Sequence, residues 1–378
     1  MRLLAAALCS IALSGCTRAD VAEPSAARSA PPSEPRASAP ARQESAPERK
    51  AEPERPVAIP WLKGQTHVHT ERSYDGHTPP EEVVRFYQAR GYDFLAITDH
   101  NRITVVDAPP GMLLIPGVEL TQNSTICDPK PVQGYRCLFH STALFVDPAK
   151  DERHGEKLRM PFVPGRREAF QAQFDFAEKL GGIYVLNHPS FHFAADARTI
   201  VQLAKHGLKL VELINAGLDQ QHPDGREAAE RRAEELWDQV LSSGVTVWGL
   251  ATDDAHHFSD AAERRKIGKF AYTGDRAWIM VHAEKKPAKI REALLAGHFY
   301  ATTGVLLDEV ERSAKALSAV ARGSGPFEFV FVGKDGRELS RSRGVSARYE
   351  PKGNEGYVRL VVSDTNGHKA WLQPVPLG

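Results

Sequence analysis

Gln65-Thr66-His67-Val68-His69-Thr70, with Asp75-Gly76 close behind, is where residue type and spacing first suggest chemistry. Two histidines two apart on an extended segment carry both imidazoles on one face, because side chains alternate along a strand. A carboxylate follows within one short loop. Imidazole nitrogens and carboxylate oxygens together suit Zn, Mn or Fe, so the stretch reads as part of a metal centre. The pair alone is weak evidence, and its weight comes from further candidates. These are Asp99 and His100 in Ile97-Thr98-Asp99-His100-Asn101, Glu119 in Pro116-Gly117-Val118-Glu119, His140, His188 in Leu186-Asn187-His188-Pro189, and Asp254 and His256 in Thr252-Asp253-Asp254-Ala255-His256. Each stands at or just past the end of an apolar run. One such residue is usually a turn former or a satisfied core histidine; a whole succession of strand ends supplied this way is hard to explain so.

The elements that must position them are apolar, strand-like runs: Trp61–Thr70, Phe94–His100, Leu113–Leu120, Leu138–Val146, Ile183–His188, Leu208–Asn215 and Val245–His256. Helical stretches with start and stop signals lie between several of them. Thr78-Pro79-Pro80-Glu81-Glu82 opens one, with prolines and carboxylates in its first turn, and Gly91 closes it. Arg167–Leu180 ends at Gly181-Gly182, Ala197–His206 at Gly207, Arg226–Ser243 at Gly244 and Ala288–Ala296 at Gly297. Alternation of strand and helix predicts an α/β fold on a parallel sheet, open or closed into a barrel. Barrels carry catalytic groups at the C-terminal ends of their strands, which is where these candidates fall. Past Val305 the pattern changes to short alternating strands (Phe327–Val332, Ser346–Tyr349, Tyr357–Ser363 and Lys369–Pro374) parted by turns such as Lys334-Asp335-Gly336 and Asn366-Gly367. Residues 306–378 therefore read as a small antiparallel β-domain, a structural appendage, with carbohydrate or polymer binding on Trp371 as the sharper alternative.

The chain has 378 residues with a formal net charge of zero, which supports neither nucleic-acid binding nor a polybasic membrane contact. Arg2 followed by the apolar Leu3–Ala12 reads as a targeting segment too short to span a bilayer. Leu13-Ser14-Gly15-Cys16 resembles a bacterial lipoprotein signal, which would make 1–16 the signal peptide and Cys16 the lipid-bearing residue. The expected location is a membrane-anchored lipoprotein on the periplasmic or cell-surface side, held through the N-terminal lipid only. Residues 17–58, rich in Ala, Pro, Ser, Glu and Arg, cannot bury enough surface to fold and read as a disordered tether. The folded body then begins at 59. Cys127 and Cys137 flank the polar loop Asp128 to Arg136, and in an exported protein a disulfide closing that loop is the expectation. Free thiols or thiol ligands are the alternatives, disfavoured because no CxxC spacing exists.

The order of motifs (HxH, Asp-Gly, Thr-Asp-His, Gly-x-Glu, two separate histidines, Asp-x-His) resembles the PHP (polymerase and histidinol phosphatase) superfamily over about Trp61 to Val305. Gly297-His298-Phe299-Tyr300-Ala301-Thr302-Thr303-Gly304-Val305 followed by a β-domain is similar to the family's carbaryl hydrolase-like branch. The resemblance implies a distorted (β/α)7 barrel over 59–305 with a trinuclear centre at its C-terminal mouth. It implies that His67, His69, Glu119 and Asp254 hold a first divalent ion, that Glu119 bridges to a second held by His140 and His188, and that Asp75, His100 and His256 hold a third. Asp75 stands where the family often has His, and either type ligates. Zn, Mn and Fe all suit such ligands.

Clustered divalent ions would activate hydroxide at neutral pH and offset charge on the attacked centre, which predicts a metal-dependent phosphoesterase acting on a small phosphorylated ester. A metal-dependent carboxyl ester, carbamate or amide hydrolase is the alternative, and a non-catalytic metal-binding envelope protein is the third reading. Among residues nearby, Asp99 is expected to orient His100 or other polar groups rather than ligate. His192 is expected to face substrate and to be able to protonate a leaving group. Arg102, and less so Arg276, could clamp an anionic substrate.

Overall fold

The computed structural model describes residues 59–219 and 224–377. The lipoprotein signal of 1–16, with Cys16, and the tether of 17–58 lie outside the described residues. No helix among the described residues is long and apolar enough to cross a membrane.

The first part of the chain alternates strand and helix. It runs β1 (Trp61–Gln65), α1 (Pro80–Gln88), β2 (Phe94–Ile97), β3 (Leu113–Ser124), β4 (Cys137–Leu144), α2 (Arg166–Lys179), β5 (Ile183–Leu186) and α3 (Ala197–His206). It continues through β6 (Leu210–Asn215), α4 (Arg226–Ser242), β7 (Trp248–Thr252), α5 (Ala261–Lys266), β8 (Trp278–His282), α6 (Pro287–Ala296) and β9 (Phe299–Thr302). Local chemistry explains the helix ends. Pro80 and two glutamates occupy the first turn of α1, where unbonded amides and the helix dipole favour both. The Asp196 carboxylate caps α3 by accepting from the Thr199 amide at 2.8 Å, and Gly207 closes it with a φ of +132°.

Strand direction departs from the all-parallel expectation. β1, β2 and β3 pair in parallel, as do β5, β6 and β7. β4, however, is antiparallel to both β3 and β5, and β8 is antiparallel to β1 and β9. The reason lies in the connection. A parallel crossover needs a dozen or more residues with a covering element, whereas the β3–β4 link is a loop closed by the Cys127–Cys137 disulfide. The sheet curls so that the segment after β1 meets the segment after β7: the Asp254 amide donates to the His67 carbonyl at 3.1 Å and the His69 amide to the Ala255 carbonyl at 2.9 Å. One buried cluster draws Leu62, Phe94, Ile115, Leu144, Val185, Leu210 and Leu250 from these strands and is closed off by Ile290 and Leu294 of α6. Burying each such side chain contributes about 1.5–3 kcal/mol.

The remaining strands are antiparallel: β10 (Leu307–Arg312), β11 (Leu317–Ala321), β12 (Phe327–Gly333), β13 (Arg337–Gly344), β14 (Ser346–Tyr349), β15 (Tyr357–Ser363) and β16 (Lys369–Pro376). β10, β11 and β14 form a three-stranded sheet. The other four join the main sheet through the β16–β9 pair, giving it 13 strands. Trp371, weighed above as a binding platform, is fully buried with its indole N–H donating to Glu234 at 3.0 Å, so it presents no face to a ligand.

Candidate metal centre

Six candidate ligands follow strand ends, Glu119 and His140 lie inside strands and Asp75 comes on a loop, and the curl of the sheet brings them to one place. His67 and His69 follow β1, Asp254 and His256 follow β7, and the two bridges described above set these segments side by side. Glu119 lies within β3, bridged to His100 beyond β2. His140 of β4 is registered against Thr121 of β3. His188 follows β5. Asp75 arrives on a loop whose Gly76 packs so close to the Thr70 carbonyl that a Cβ there would sit 2.1 Å from the oxygen; only glycine fits. His188 and Asp254 hold positive φ values of 25° and 48°, strain of roughly 1–3 kcal/mol each that is common at functional sites.

Outer hydrogen bonds decide which ring nitrogen faces inward. The Glu212 carboxylate accepts from His67 Nδ1 at 2.5 Å, so Nε2 faces inward and is bare once the ring is neutral. Ser73 Oγ gives its only hydrogen to Asp99 Oδ1 at 3.0 Å, so it must accept from His69 Nδ1 at 2.9 Å, and again Nε2 is bare. His256 Nδ1 donates to the Asp254 carbonyl at 2.9 Å. His140 is turned the other way: Nε2 donates to Asn123 Oδ1 at 2.7 Å and Nδ1 faces inward. His100 Nδ1 lies 2.6 Å from both Thr121 Oγ1 and Glu119 Oε2, directing Nε2 towards Asp75 Oδ2 at 3.4 Å.

Inward-facing ring nitrogens and carboxylate oxygens thus converge. His67 Nε2 is 3.1 Å from His69 Nε2, and Asp254 Oδ1 lies 3.3 Å and 3.2 Å from the two. Glu119 turns Oε1 to His67 at 3.4 Å, His140 at 3.2 Å and His188 at 3.7 Å, and Oε2 to His69 at 3.6 Å. A four-coordinate shell with bonds of about 2.0–2.1 Å spaces its ligand atoms roughly 3.3–3.4 Å apart, so the spacing fits a cation. Asp75 Oδ1 and His188 Nδ1 are buried with no hydrogen-bond partner. Among the described residues, three overlapping groups bring ligand atoms within 4.8 Å of one another and could hold an ion: His67, His69 and Glu119; Glu119, His140 and His188; and His69, Asp75, His100 and His256.

The field at this point favours positive charge. Burial alone would raise the carboxyl of Glu119, but His100, His140 and His67 hold it well below the ordinary carboxylate range. Asp254 is depressed in the same way by His67, His69 and His256 against the effect of burial. Burial lowers His67, yet Asp254, Glu212 and Glu119 carry it well above its usual value. Burial with His256 and His100 drives His69 down to about 4, keeping that imidazole neutral as a ligand must be.

Residues 65–155 match the PHP domain. That stretch carries His67, His69, Asp75, His100, Glu119 and His140, while His188, Asp254 and His256 come from the chain beyond it. A comparison with the curated proteins finds no match. Among solved structures, the chain is similar to a two-domain protein containing a predicted PHP-like metal-dependent phosphoesterase from Bacteroides vulgatus, at 18% identity and a TM-score of 0.43, covering 83% of this chain and 95% of that one. It is more distantly similar to an amidohydrolase from Chromobacterium violaceum with bound sulfate and no metal, at 15% identity and a TM-score of 0.33, covering 52% and 88%. A candidate metal-dependent phosphoesterase of Bifidobacterium adolescentis stands at the same identity and score, covering 52% and 89%.

Around these candidate ligands the structure adds residues that spacing did not single out. Glu212, alone among apolar neighbours on β6, is buried and accepts from His67 Nδ1, the His188 amide at 2.9 Å, Thr252 Oγ1 at 2.9 Å and Asn215 Nδ2 at 3.1 Å. It positions two ligands at once. Only its standing as the one charged residue within the strand signalled it. Asn215, Asn123 and Ser73 orient Asp254, His140 and His69 in the same manner. Replacing Glu212 by Gln is expected to lower metal affinity and turnover about 10–100-fold, the usual cost of losing such a support, with the fold retained. Metal titration of the variant checks this, and unchanged affinity would remove Glu212 from the site.

The other expectations resolve individually. Asp99 is buried and accepts from Thr70, Ser73 and Thr104, reaching His69 and the His100 amide through Ser73. Asp253 is spent on Gln65, Tyr87 and three backbone amides, which leaves Asp254 to face the cluster. His192 lines a cavity of about 450 Å³ that His188, Glu212 and Asn215 also line. Arg102 instead lines a separate cavity with Arg72, Thr104, Asp151 and His154, none of them candidate ligands. Arg276 donates its backbone amide to Asp253. Tyr74, exposed, stacks on the His100 ring at 4.7 Å and covers the cluster on that side.

Proposed function

We propose that this chain is a metal-dependent hydrolase of small phosphoesters, with a trinuclear centre in a distorted (β/α)7 barrel, held outside the cytoplasm by a lipid on Cys16. The observation that carries it is the inward convergence of imidazole nitrogens and carboxylate oxygens at ligand spacing. The barrel is supported by the meeting of the segments after β1 and β7 and by the core shared among β1 to β7. Export is supported by the lipoprotein-like Leu13-Ser14-Gly15-Cys16 and by the Cys127–Cys137 disulfide, a bond that persists in oxidising compartments.

His67, His69, Glu119 and Asp254 would hold the first ion, His140 and His188 with Glu119 the second, and Asp75, His100 and His256 the third. Divalent ions bound there supply Lewis acidity to ester oxygens and make hydroxide available at neutral pH. The chain's own residues do the rest. Glu119 presents one oxygen to each side of the cluster and so fixes the spacing between ion sites. Glu212, Ser73, Asn123 and Asn215 lock the ring and carboxylate orientations, so little reorganisation accompanies the reaction. The cavity beside His188 admits the substrate, with His192 on its wall.

A second reading, hydrolysis of a carboxyl ester, carbamate or amide, is supported by the aromatic wall of that cavity, which contains Tyr135, Phe191 and Phe193 and suits uncharged apolar groups. Chelation is expected to abolish hydrolysis of a chromogenic phosphoester and added Zn, Mn or Fe to restore it, with three ions per chain by elemental analysis. Turnover of aryl carbamates or carboxyl esters alone would move the assignment to the second reading. Silence towards every ester with ions bound would leave a non-catalytic envelope protein.

A further inference from the structure

We propose that the disulfide-closed loop 127–137 is a built part of the substrate cavity. In this arrangement Tyr135 forms a wall that contacts substrate, and the Arg136 amide positions His192 so that its Nε2–H donates into the cavity. The inference rests on the reading above that substrate enters beside His188. Three independent links tie the loop to the cavity. The Arg136 amide donates to His192 Nδ1 at 3.0 Å, which fixes the proton of the neutral ring on Nε2. Tyr135 meets the His192 and Phe193 rings edge-on, with centroids 5.2 Å away in each case. Arg166, almost fully buried, donates from Nε to the Pro129 carbonyl of the loop at 3.0 Å and from Nη1 to the Phe193 carbonyl at 3.0 Å, clamping both sides together.

The clamp explains an otherwise costly backbone. His192 and Phe193 are successive non-glycine residues, each with a φ of +52°. Left-handed residues of this kind persist only where the surroundings over-determine them, and they gather at functional sites. The Cys127–Cys137 bond makes the loop rigid enough to serve. Both sulfurs' residues are buried, while Tyr135 and Phe193 keep exposed rings facing the same cavity. Held as Nδ1 acceptor, and lowered by burial from its ordinary value, His192 acts as a neutral hydrogen-bond donor to a substrate oxygen. That role replaces proton delivery to the leaving group.

The test uses the full chain with Cys127→Ser and Cys137→Ser together. Bound ions and kcat are expected to hold while KM for nitrophenyl phosphate rises about tenfold, the effect of one lost neutral hydrogen bond. His192→Ala should raise KM by a similar factor, and the combined variant no further. Arg136→Pro removes the donating amide and keeps the disulfide, and Arg136→Ala, which removes the side chain alone, serves as its control, so the pair answers the question if the serine variant folds poorly. A readout free of turnover is nitrogen NMR of the histidines: the His192 Nδ1 signal, assigned by its loss in His192→Ala, should leave the acceptor position when the loop is opened. If no ester is turned over, the proposed function fails while this signal still decides the loop's role. Additive losses, an unmoved Nδ1 signal, or release of ions through His140 would each overturn the proposal.

Discussion

Glu119→Gln is expected to cut kcat/KM about a thousandfold or more and to lower the bound-ion count, with far-UV circular dichroism unchanged. Glutamine keeps the shape and can still meet the Asn187 side chain, which donates to Oε1 at 2.9 Å, so the strands around it have no reason to move. What it removes is the charge shared by two of the three ligand groups. Oε1 serves the His140 and His188 side and Oε2 the His69 and His100 side, so one substitution weakens more than one ion site. Several kilocalories per mole of charge stabilisation ride on such ions, and each 1.4 kcal/mol or so is a factor of ten in rate. His67→Ala should do similar damage through one ion site only, and ion counting separates the two variants. Activity within about tenfold of the parent chain, at full ion content, would take Glu119 out of the chemistry.

Much of this centre was legible because its ligands belong to short, local signatures. His67-Val68-His69 and Asp254-Ala255-His256 announce themselves through a two-residue period, and each follows an apolar run that had to be a strand. Helix ends were legible for the same reason, since Pro80 and Gly207 act within one turn of where they stand, whereas the Asp196 cap emerged only in the structure. Pairing direction was not. Nothing in β3 or β4 states that they run antiparallel; the clue is the missing helix between them, and alternation elsewhere masked it. β8 and β9 escaped because Trp278–His282 and Phe299–Thr302 are short runs whose partners, β1 and β16, are distant in sequence. Glu212 escaped because a single carboxylate in Leu210–Asn215 gains its meaning only from His67, far along the chain. Supports of this kind are non-local by nature, whereas ligands tend to be written in motifs.

Arg359→Ala is expected to lower the free energy of unfolding by about 3–5 kcal/mol, read as the urea midpoint of the full chain. Arg359, in the middle of β15, is buried; its Nε and Nη2 each lie 2.7 Å from one oxygen of Asp238 on α4, and Nη1 donates to Glu234 at 3.2 Å. Tyr357 adds a 2.7 Å bond to Asp238. Truncating the guanidinium strands the Asp238 carboxylate out of water without a cation, and that uncompensated charge, more than the lost contact, sets the size of the effect. Arg359→Met with Asp238→Leu removes both charges and should recover most of the loss, which a mere packing defect would not. The damage should stop short of the chemistry. β16 keeps its own grip on β7, where Gln373 exchanges two 2.8 Å hydrogen bonds with the Gly249 backbone, and β7 leads directly to Asp254 and His256. Below the unfolding midpoint, kcat should therefore stay within about twofold while the midpoint falls, because a pair acting on the folded fraction changes how much protein works and not how well. A large fall in kcat at full ion content would instead tie the C-terminal strands to the geometry of the metal centre, and an unmoved midpoint would show Arg359 to be dispensable to the fold.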